Sequence, residues 1–599
     1  MSSKISLKEN LWERLIFFAR TLLLFVVSLL LNAGLILRLV QLQIWEHETY
    51  ETRSDENRIQ VQPLAPPRGL IFDRHGVLLA DNRPISSLAL VRERVPDLDA
   101  LIQQLSNLVS VTEEDVAGFE KRLQRARRPF EPVALKLNLS EEEIARLAVH
   151  RHELPGVEIT TELVRNYPFD GLFAHAVGSV RRVTEDDLRK LDEVRYSATR
   201  FVGRRGVERF YEASLHGEVG YQRVEIDAHG RIRQVLDINP PVAGQNISLH
   251  LDSRLQIAAT AALGDRRGAI VAIDPRSGGV LAMVSNPAYN PNLFVTGIGD
   301  EEYRLLSTSR DTPMFNRAIN GQYAPGSTIK PLVGLAALSL DVVSWEDHIE
   351  DKGWFRLPGQ ERIYRDWSWR VGNAGGQGRV DLRRAIYRSS NVYFYDLATR
   401  MDVDDLSRFV GQFGLGQRTA VDIPDTSSGL VPDRIWKHGA KGEIWYPGDS
   451  VNMGIGQGDL LVTPLQLATM VTVLANRGRW VRPRMLLSSD RPLVEFDPPR
   501  AIPAVQGPTP EDWENMVDAM EDVVHRGNKG YRQNGTAWAH IGRGIAYRMA
   551  GKSGTAQKAD QYGNYNGGYT GSYVAVAPAE DPQILVYVVI DEPVNGYYG

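Results

Sequence analysis

Cysteine is absent from all 599 residues, which excludes disulfides, thiolate nucleophiles and Cys-based zinc sites. A domain exported to an oxidising compartment would therefore have no thiol to mispair. A basic excess is also missing. The net charge is -5, so nothing in the charge balance favours nucleic acid or another polyanion as a partner. Residues 46–245 contain no phosphate-binding loop, metal-ligand cluster or paired-carboxylate pattern, and no internal repeat runs through the chain. What remains is ordinary globular composition, 43% hydrophobic, in a chain long enough for about two to four domains.

Charge is missing once more between Arg20 and Arg38, where TLLLFVVSLLLNAGLIL (21–37) reads as a membrane span. The apolar stretch extends on both sides, so a tilted helix with snorkelling arginines could cross a hydrocarbon core of roughly 30 Å. Leu37, Leu39, Val40 and Leu42 stand where a signal peptide would carry a small-residue cleavage site, which predicts an uncleaved anchor over residues 21–45. Lys4, Lys8, Arg14 and Arg20 precede it, partly offset by Glu9 and Glu13. The positive-inside tendency then places residues 1–20 in the cytoplasm and the rest beyond the membrane.

After the anchor, residues 46–245 read as a non-catalytic spacer. RGLIFDRHGVLLADN (68–82) predicts a hairpin turning at Arg74, His75 and Gly76. SEEEIARLAVHRHEL (140–154) has capping-box spacing from Ser140 to Glu143 and predicts a helix with Ile144, Leu147 and Ala148 on one face. The composition changes at NPPVAGQNISLHLD (239–252), where a domain boundary is placed, followed by the helix-like SRLQIAATAAL. GAIVAIDPRSGGVLAMVSNP (268–287) predicts two strands around a turn at 274–279, and SYVAVAP (572–578) with QILVYVVID (583–591) predicts two more. Strands at both ends with helical patterns between them predict an α+β domain over 246–599, its antiparallel sheet completed by distant parts of the chain.

Three short motifs carry possible chemistry. APGSTIKPLVGLAALSL (324–340) puts Ser327 and Lys330 on one face at the start of an apolar helix. A serine hydroxyl needs a nearby base, and a lysine among apolar groups can be neutral enough to serve. The helix start also offers backbone N–H groups to a developing oxyanion. By itself S-x-x-K reads equally well as a helix cap beside a surface lysine. Ser389-Ser390-Asn391 offers a hydroxyl for proton relay and an amide for a substrate carbonyl, with a common turn or cap as its plain alternative. Lys552-Ser553-Gly554-Thr555 is more specific. It reads as a sheet strand on which Gly554 permits close approach and Lys552 and Thr555 offer charge and hydroxyl to a carboxylate, against the plainer reading of a polar edge strand.

Order and spacing decide between these readings. S-x-x-K, then S-x-N, then K-S-G-T is the signature shared by penicillin-binding proteins and class A β-lactamases. The chain resembles the class B penicillin-binding proteins, and within them the branch serving Gram-negative cell elongation. The resemblance covers essentially the whole sequence. It includes PPRGLIFDRHGVLLADN (66–82), RNYP with AHAVGSV (165–180), GVERFYEASLHG (206–217), AIDPRSGGVLAMVSNPAYNPN (272–292), YAPGSTIKP, RDW (365–367), WYPGDSVNMGIGQGDLLVTPLQLA (445–468) and AGKSGTAQ (550–557).

The resemblance implies a pedestal over 46–245, of the dimerisation-domain type, and a penicillin-binding, β-lactamase-like transpeptidase domain over 246–599. It implies a serine-type D-Ala-D-Ala transpeptidase that cross-links peptidoglycan stem peptides during elongation and rod-shape maintenance, with D,D-carboxypeptidase activity as a minor side reaction and β-lactams as inhibitors. Ser327 would be acylated and Lys330 would be the base. Ser389 would relay a proton and Asn391 would hold the peptide. Lys552, Ser553, Gly554 and Thr555 would bind the terminal carboxylate, and the backbone N–H groups of Ser327 and Thr555 would form the oxyanion hole. The implied setting is the bacterial inner membrane, with the catalytic domain periplasmic and no cofactor or metal. The implied partners are a membrane-embedded SEDS-family glycan polymerase and other elongation proteins, reached through the pedestal and the membrane helix. RDW and WYPGD favour elongation over the division-specific alternative. Two other readings share the motifs: a soluble β-lactamase or carboxypeptidase, which would have no use for the pedestal, and a β-lactam sensor or scaffold that activates a polymerase. Nothing resembles a glycosyltransferase domain. Relatives continue past DEPVNGYYG into a closing segment, which predicts that this sequence is truncated there.

Overall fold

The computed structural model describes residues 11–46, 58–125, 130, 132–227, 232–369, 375–493, 501–530, 532–559 and 565–592. Lys4, Lys8 and Glu9 of the expected cytoplasmic segment, and the stretch from 593 onward, lie outside these residues. The chain forms two compact units, Met1–Ala65 with Val219–Pro241 and Pro66–Glu218 with Val242–Gly599.

In the first unit, residues Leu11–Val40 form one α-helix, continued by a π-helical turn at Gln41–Trp45. At about 1.5 Å per residue, its 30 residues are long enough to cross a bilayer core. Leu23, Phe25, Leu30 and Leu37 are all exposed, so the helix presents an apolar surface to its surroundings. Its polar side chains turn inward to the backbone, Thr21 Oγ1 donating to Phe17 O and Asn32 Nδ2 to Ser28 O, each at 2.9 Å. Lipid would leave them no other partner. The same unit holds an antiparallel sheet of Ile59–Leu64, Gly220–Ile226 and Ile232–Asn239.

The second unit begins with the expected hairpin. Strands Ile71–Phe72 and Leu78–Val91 pair antiparallel, and the Asp73 carboxylate accepts from the backbone N–H of His75 and Val77 at 2.8 Å, which fixes the turn. Leu78–Val91 also pairs with Pro132–Lys136 and Val157–Asn166. The Ser140–Glu143 capping box is formed and starts the helix Glu141–Val149. Its buried face is narrower than expected. Leu147 is buried and Ile144 packs beside it, but Ala148 faces solvent, because one helix of nine residues covers only the edge of a small core.

Several of the sequence segments meet in a buried ion cluster. Arg165 Nε contacts Glu208 at 2.6 Å, and Arg68 reaches both Glu208, at 2.6 Å, and Glu212, at 2.7 Å. Tyr167 donates to Glu208 at 3.3 Å. The two guanidinium groups hold the Glu208 carboxyl below the usual carboxylate range although burial opposes this.

The five-stranded sheet of the C-terminal region runs in the order Val280–Asn286, Gly268–Ile273, Ile584–Asp591, Tyr565–Ala577, Ala550–Ala559, antiparallel throughout. Distant parts of the chain thus complete one sheet, as expected. Against it lies Pro464–Ala475, a largely apolar helix buried at every residue and started by a Thr463–Gln466 capping box. The helix Lys330–Ser339 is likewise buried along most of its length. Several strands were not foreseen, one of them late in the chain. Leu486–Ser489 pairs with Ile247–Leu249, which runs parallel to Ile71–Phe72, so a late segment joins a sheet begun near residue 71.

Candidate active site

The turn that carries Ser327 is built by close backbone approach. Gly326 has φ +56°, a conformation that L side chains rarely adopt, and a Cβ there would lie 2.7 Å from the Thr555 carbonyl oxygen. Gly326–Ile329 form a 3₁₀ turn, and the α-helix begins at Lys330 with Pro331 in its first turn, where a missing N–H costs nothing. Ser327 is partly exposed, whereas Thr328, Ile329 and Lys330 are buried.

The K-S-G-T motif lies on the strand Ala550–Ala559, which forms the edge of the sheet. At Gly554 a Cβ would meet Ser572 Oγ at 2.5 Å and the Pro325 carbonyl at 3.0 Å, so glycine lets the strand sit directly against the Ser327 turn. This brings Thr555 beside Gly326, and Ser553 Oγ lies 3.5 Å from Thr536 Oγ1.

Ser389 joins the two helices that supply the middle motif. Leu382–Arg388 ends at Ser389, which has φ 55° in the left-handed region, and Asn391 opens Asn391–Arg400. Such a backbone is strained for a serine and is held by its neighbours. The plain reading of this motif as a helix cap also proves correct for its central residue. Ser390 Oγ accepts from Tyr393 N–H at 3.2 Å and donates to Asp351 at 2.7 Å.

These elements bring four of the expected side chains together, Lys330, Ser389, Asn391 and Lys552. Lys330 Nζ donates to the Asn391 side-chain oxygen at 2.7 Å, to the Ser389 carbonyl at 2.9 Å and to Ser389 Oγ at 3.4 Å. Lys552 Nζ donates to Ser389 Oγ at 3.0 Å and to the Ser553 carbonyl at 2.9 Å. Both ammonium groups are fully buried, and among the described residues neither forms an ion pair. Burial lowers Lys330 to about 7 despite Asp366 and Asp351, which pull it back up. Lys552 is pushed well below the usual lysine range by burial and by the neighbouring charge of Lys330. Phe394 lies beneath, its ring centroid 5.4 Å from Lys330 Nζ.

Sequence reasoning missed the support behind this cluster. Asp366 accepts from Asn391 N–H at 2.8 Å and from the Ser368 hydroxyl at 2.5 Å. Asp351 accepts from Ser390 and, at 2.7 Å, from Gly353 N–H, and burial raises its pKa. Asp366 stands inside RDW, which in the sequence marks only the elongation branch. Asp351 carries no motif. Among the described residues no group of three or more His, Asp or Glu side chains could hold a metal ion.

The family described as "Penicillin binding protein transpeptidase domain" matches residues 268–599, and "Penicillin-binding Protein dimerisation domain" matches 63–249. The chain is 41% identical to the peptidoglycan D,D-transpeptidase MrdA of Acinetobacter baumannii, over 100% of this chain and 88% of that protein. It is 37% identical to MrdA of Escherichia coli K12, over 99% of this chain and 94% of that protein. Among solved structures it resembles Pseudomonas aeruginosa PBP2 in complex with WCK 5153, with TM-score 0.68 and 38% identity over 90% of this chain and 93% of that one. It also resembles Helicobacter pylori PBP2 in complex with MreC, with TM-score 0.75 and 25% identity over 89% and 95%. A third resemblance is to a peptidoglycan synthase complex that coordinates polymerization and crosslinking, with TM-score 0.68 and 27% identity over 96% and 94%. The chain therefore belongs to the class B penicillin-binding proteins, in the branch that PBP2 represents.

Proposed function

We infer that Ser327 is the acylated nucleophile of this chain, a peptidoglycan D,D-transpeptidase of the elongation type. One observation carries the reading: Lys330, Ser389, Asn391 and Lys552 form a single buried hydrogen-bonded cluster next to the turn bearing Ser327. Two buried ammonium groups bridged by one hydroxyl cannot both hold a proton cheaply. A substrate carboxylate bound at Lys552, Ser553 and Thr555 stabilises the proton on Lys552, which leaves Lys330 neutral and able to accept one.

Ser327 Oγ then attacks the penultimate D-Ala carbonyl of a stem pentapeptide as its proton passes to Lys330. The oxyanion is met by the backbone N–H groups of Ser327 and Thr555, and Asn391 holds the peptide. Ser389, between the two lysines, relays the proton to the departing terminal D-Ala, leaving an ester on Ser327. The amine of a second stem peptide attacks that ester, forms the cross-link and frees the serine. A β-lactam enters by the same first step and leaves a slowly hydrolysed ester. Water in place of the amine gives the minor carboxypeptidase reaction.

The long apolar helix and the family matches at 63–249 and 268–599 support an anchor, a pedestal over 46–245 and a transpeptidase domain over 246–599. Lys4, Lys8, Arg14 and Arg20, all N-terminal to the uncharged stretch 21–37, support a cytoplasmic N-terminus and a periplasmic catalytic domain at the inner membrane. The relatives seen with MreC and in a synthase complex support a SEDS-family polymerase and other elongation proteins as partners.

Fluorescent penicillin labelling of the chain and of Ser327→Ala tests the nucleophile, followed by a cross-linking assay with and without the polymerase. Labelling of the unaltered chain alone is expected. Equal labelling of the variant would sink the assignment, and cross-linking by neither protein in the polymerase's presence would favour a sensor or scaffold.

A further inference from the structure

A cavity of about 680 Å³ lies apart from the catalytic cluster, between residues 174–207 on one side and 289–320, 422–425 and Met485 on the other. That volume suits a drug-sized ligand. Three features of its wall point to the chemistry of an occupant.

The first is an unneutralised cation. Arg205 is exposed, lines the cavity, donates to the Met314 carbonyl at 2.6 Å and lies 5.9 Å from the Tyr289 ring centroid. Among the described residues no carboxylate pairs with it. The other charged groups there each have a partner. Arg181 and Arg204 both bind Asp187, Asp425 pairs with Arg209, and Asp422 accepts from Met485 N–H, Leu486 N–H and the Tyr211 hydroxyl. Nearby His175 is held near pKa 4 by burial and by Arg205 and Arg317, so it stays neutral and adds no second positive charge beside Arg205.

The second feature is a polar atom without a partner. Tyr289 is 4% exposed and lines the cavity, yet its hydroxyl finds no hydrogen bond among the described residues. A buried phenol normally has one, and leaving it unmet costs free energy. The third is an apolar floor of Phe294, Phe315, Ile319 and Ile423. A ligand that uses all three needs an anionic group, a hydrogen-bonding atom close to it and an apolar body.

We propose that this cavity is a binding site for a small amphipathic carboxylate, whose acid group pairs with Arg205, whose polar atom meets the Tyr289 hydroxyl and whose apolar part lies on Phe294 and Ile423. Such a carboxylate occurs in N-acylated aromatic or aliphatic amino acids and in simple arylalkanoic acids. The two sources share the acid and the apolar body and differ in the peptide group.

The test is calorimetric titration of the full chain in detergent after acylation by benzylpenicillin and removal of the unbound drug, so that the catalytic site is blocked and none of it competes for the cavity. N-acetyl-L-phenylalanine, 3-phenylpropionate and N-acetyl-L-phenylalaninamide are the probes. At least one acid should bind about tenfold more tightly than the amide, since a charge-assisted bond is lost with it. The tighter acid identifies the source. Arg205→Gln keeps a donor for the Met314 carbonyl and should erase the preference while penicillin labelling persists. No saturable binding of either acid, equal binding of acids and amide, or an undiminished preference in Arg205→Gln would each overturn the proposal. Should the variant fail to label, the comparison of acids with amide on the unaltered chain decides alone.

Discussion

Arg165 Nε lies 2.6 Å from Glu208 Oε1, and both side chains are shut off from solvent. Glu208 answers two guanidinium groups at once, so Glu208→Gln leaves Arg165 and Arg68 as undercompensated buried charges. Breaking a buried pair from one side costs about 3–5 kcal/mol. Thermal denaturation should show a clear loss of stability, while penicillin acylation well below the transition stays close to that of the unaltered chain.

The acylation rate should follow the charge of Lys330. Its conjugate acid titrates near 7, so below that value the lysine is protonated and cannot accept the Ser327 proton. The second-order rate constant for acylation is expected to rise about tenfold per pH unit below 7 and to level off above it. Stopped-flow measurement with a chromogenic β-lactam over pH 5–9 checks this, and a flat profile would remove Lys330 from the role of base.

Asp366 raises the Lys330 pKa and accepts from Asn391 N–H. Asp366→Asn removes a negative charge from beside a cation, so the protonated form loses support and the inflection of the same profile should move to lower pH. The acylation plateau should also fall as Asn391 loses its anchor. A fallen plateau with an unmoved inflection would assign Asp366 to support of the backbone alone.

At Gly326 and Gly554 the missing side chains set the distance between the Ser327 turn and the sheet edge. Gly554→Ala would place a methyl 2.5 Å from Ser572 Oγ and 2.8 Å from Thr328 Cγ2. Acylation should drop at least about a hundredfold through misplacement of the reacting groups, with only a modest change in melting temperature. Acylation kinetics and differential scanning fluorimetry on one preparation separate the two effects.

Much of this site was legible because its chemistry is local. Ser327 and Lys330 share one turn, Ser389 and Asn391 flank one helix start, and the four residues of K-S-G-T follow one another on one strand. The supporting carboxylates were not legible, because Asp351 acts on Ser390 and Asp366 on Asn391 across the fold, and neither distance leaves a periodic trace. The strand Leu486–Ser489 escaped for the same reason: its partner Ile247–Leu249 is remote in sequence, and the Pro483 just before it reads as a breaker. The buried charge cluster was in view only as sequence segments. Arg68, Arg165 and Glu208 belong to three of them, and burial alone turns three surface-like letters into a core.

The order of strands in the catalytic sheet has a consequence for the growing chain. Ala550–Ala559, which carries Lys552, rests on Tyr565–Ala577, which rests on Ile584–Asp591, which in turn pairs with the early strand Gly268–Ile273. Ser327 therefore emerges during synthesis long before Ala550–Ala559, the strand that lies against its turn. Until the last of these strands is laid against Gly268–Ile273, Ser327 has neither Thr555 beside its turn nor Lys552 within reach of Ser389, and it is an ordinary serine. On the role proposed for Ser327, a half-made chain would offer a β-lactam no completed site to acylate.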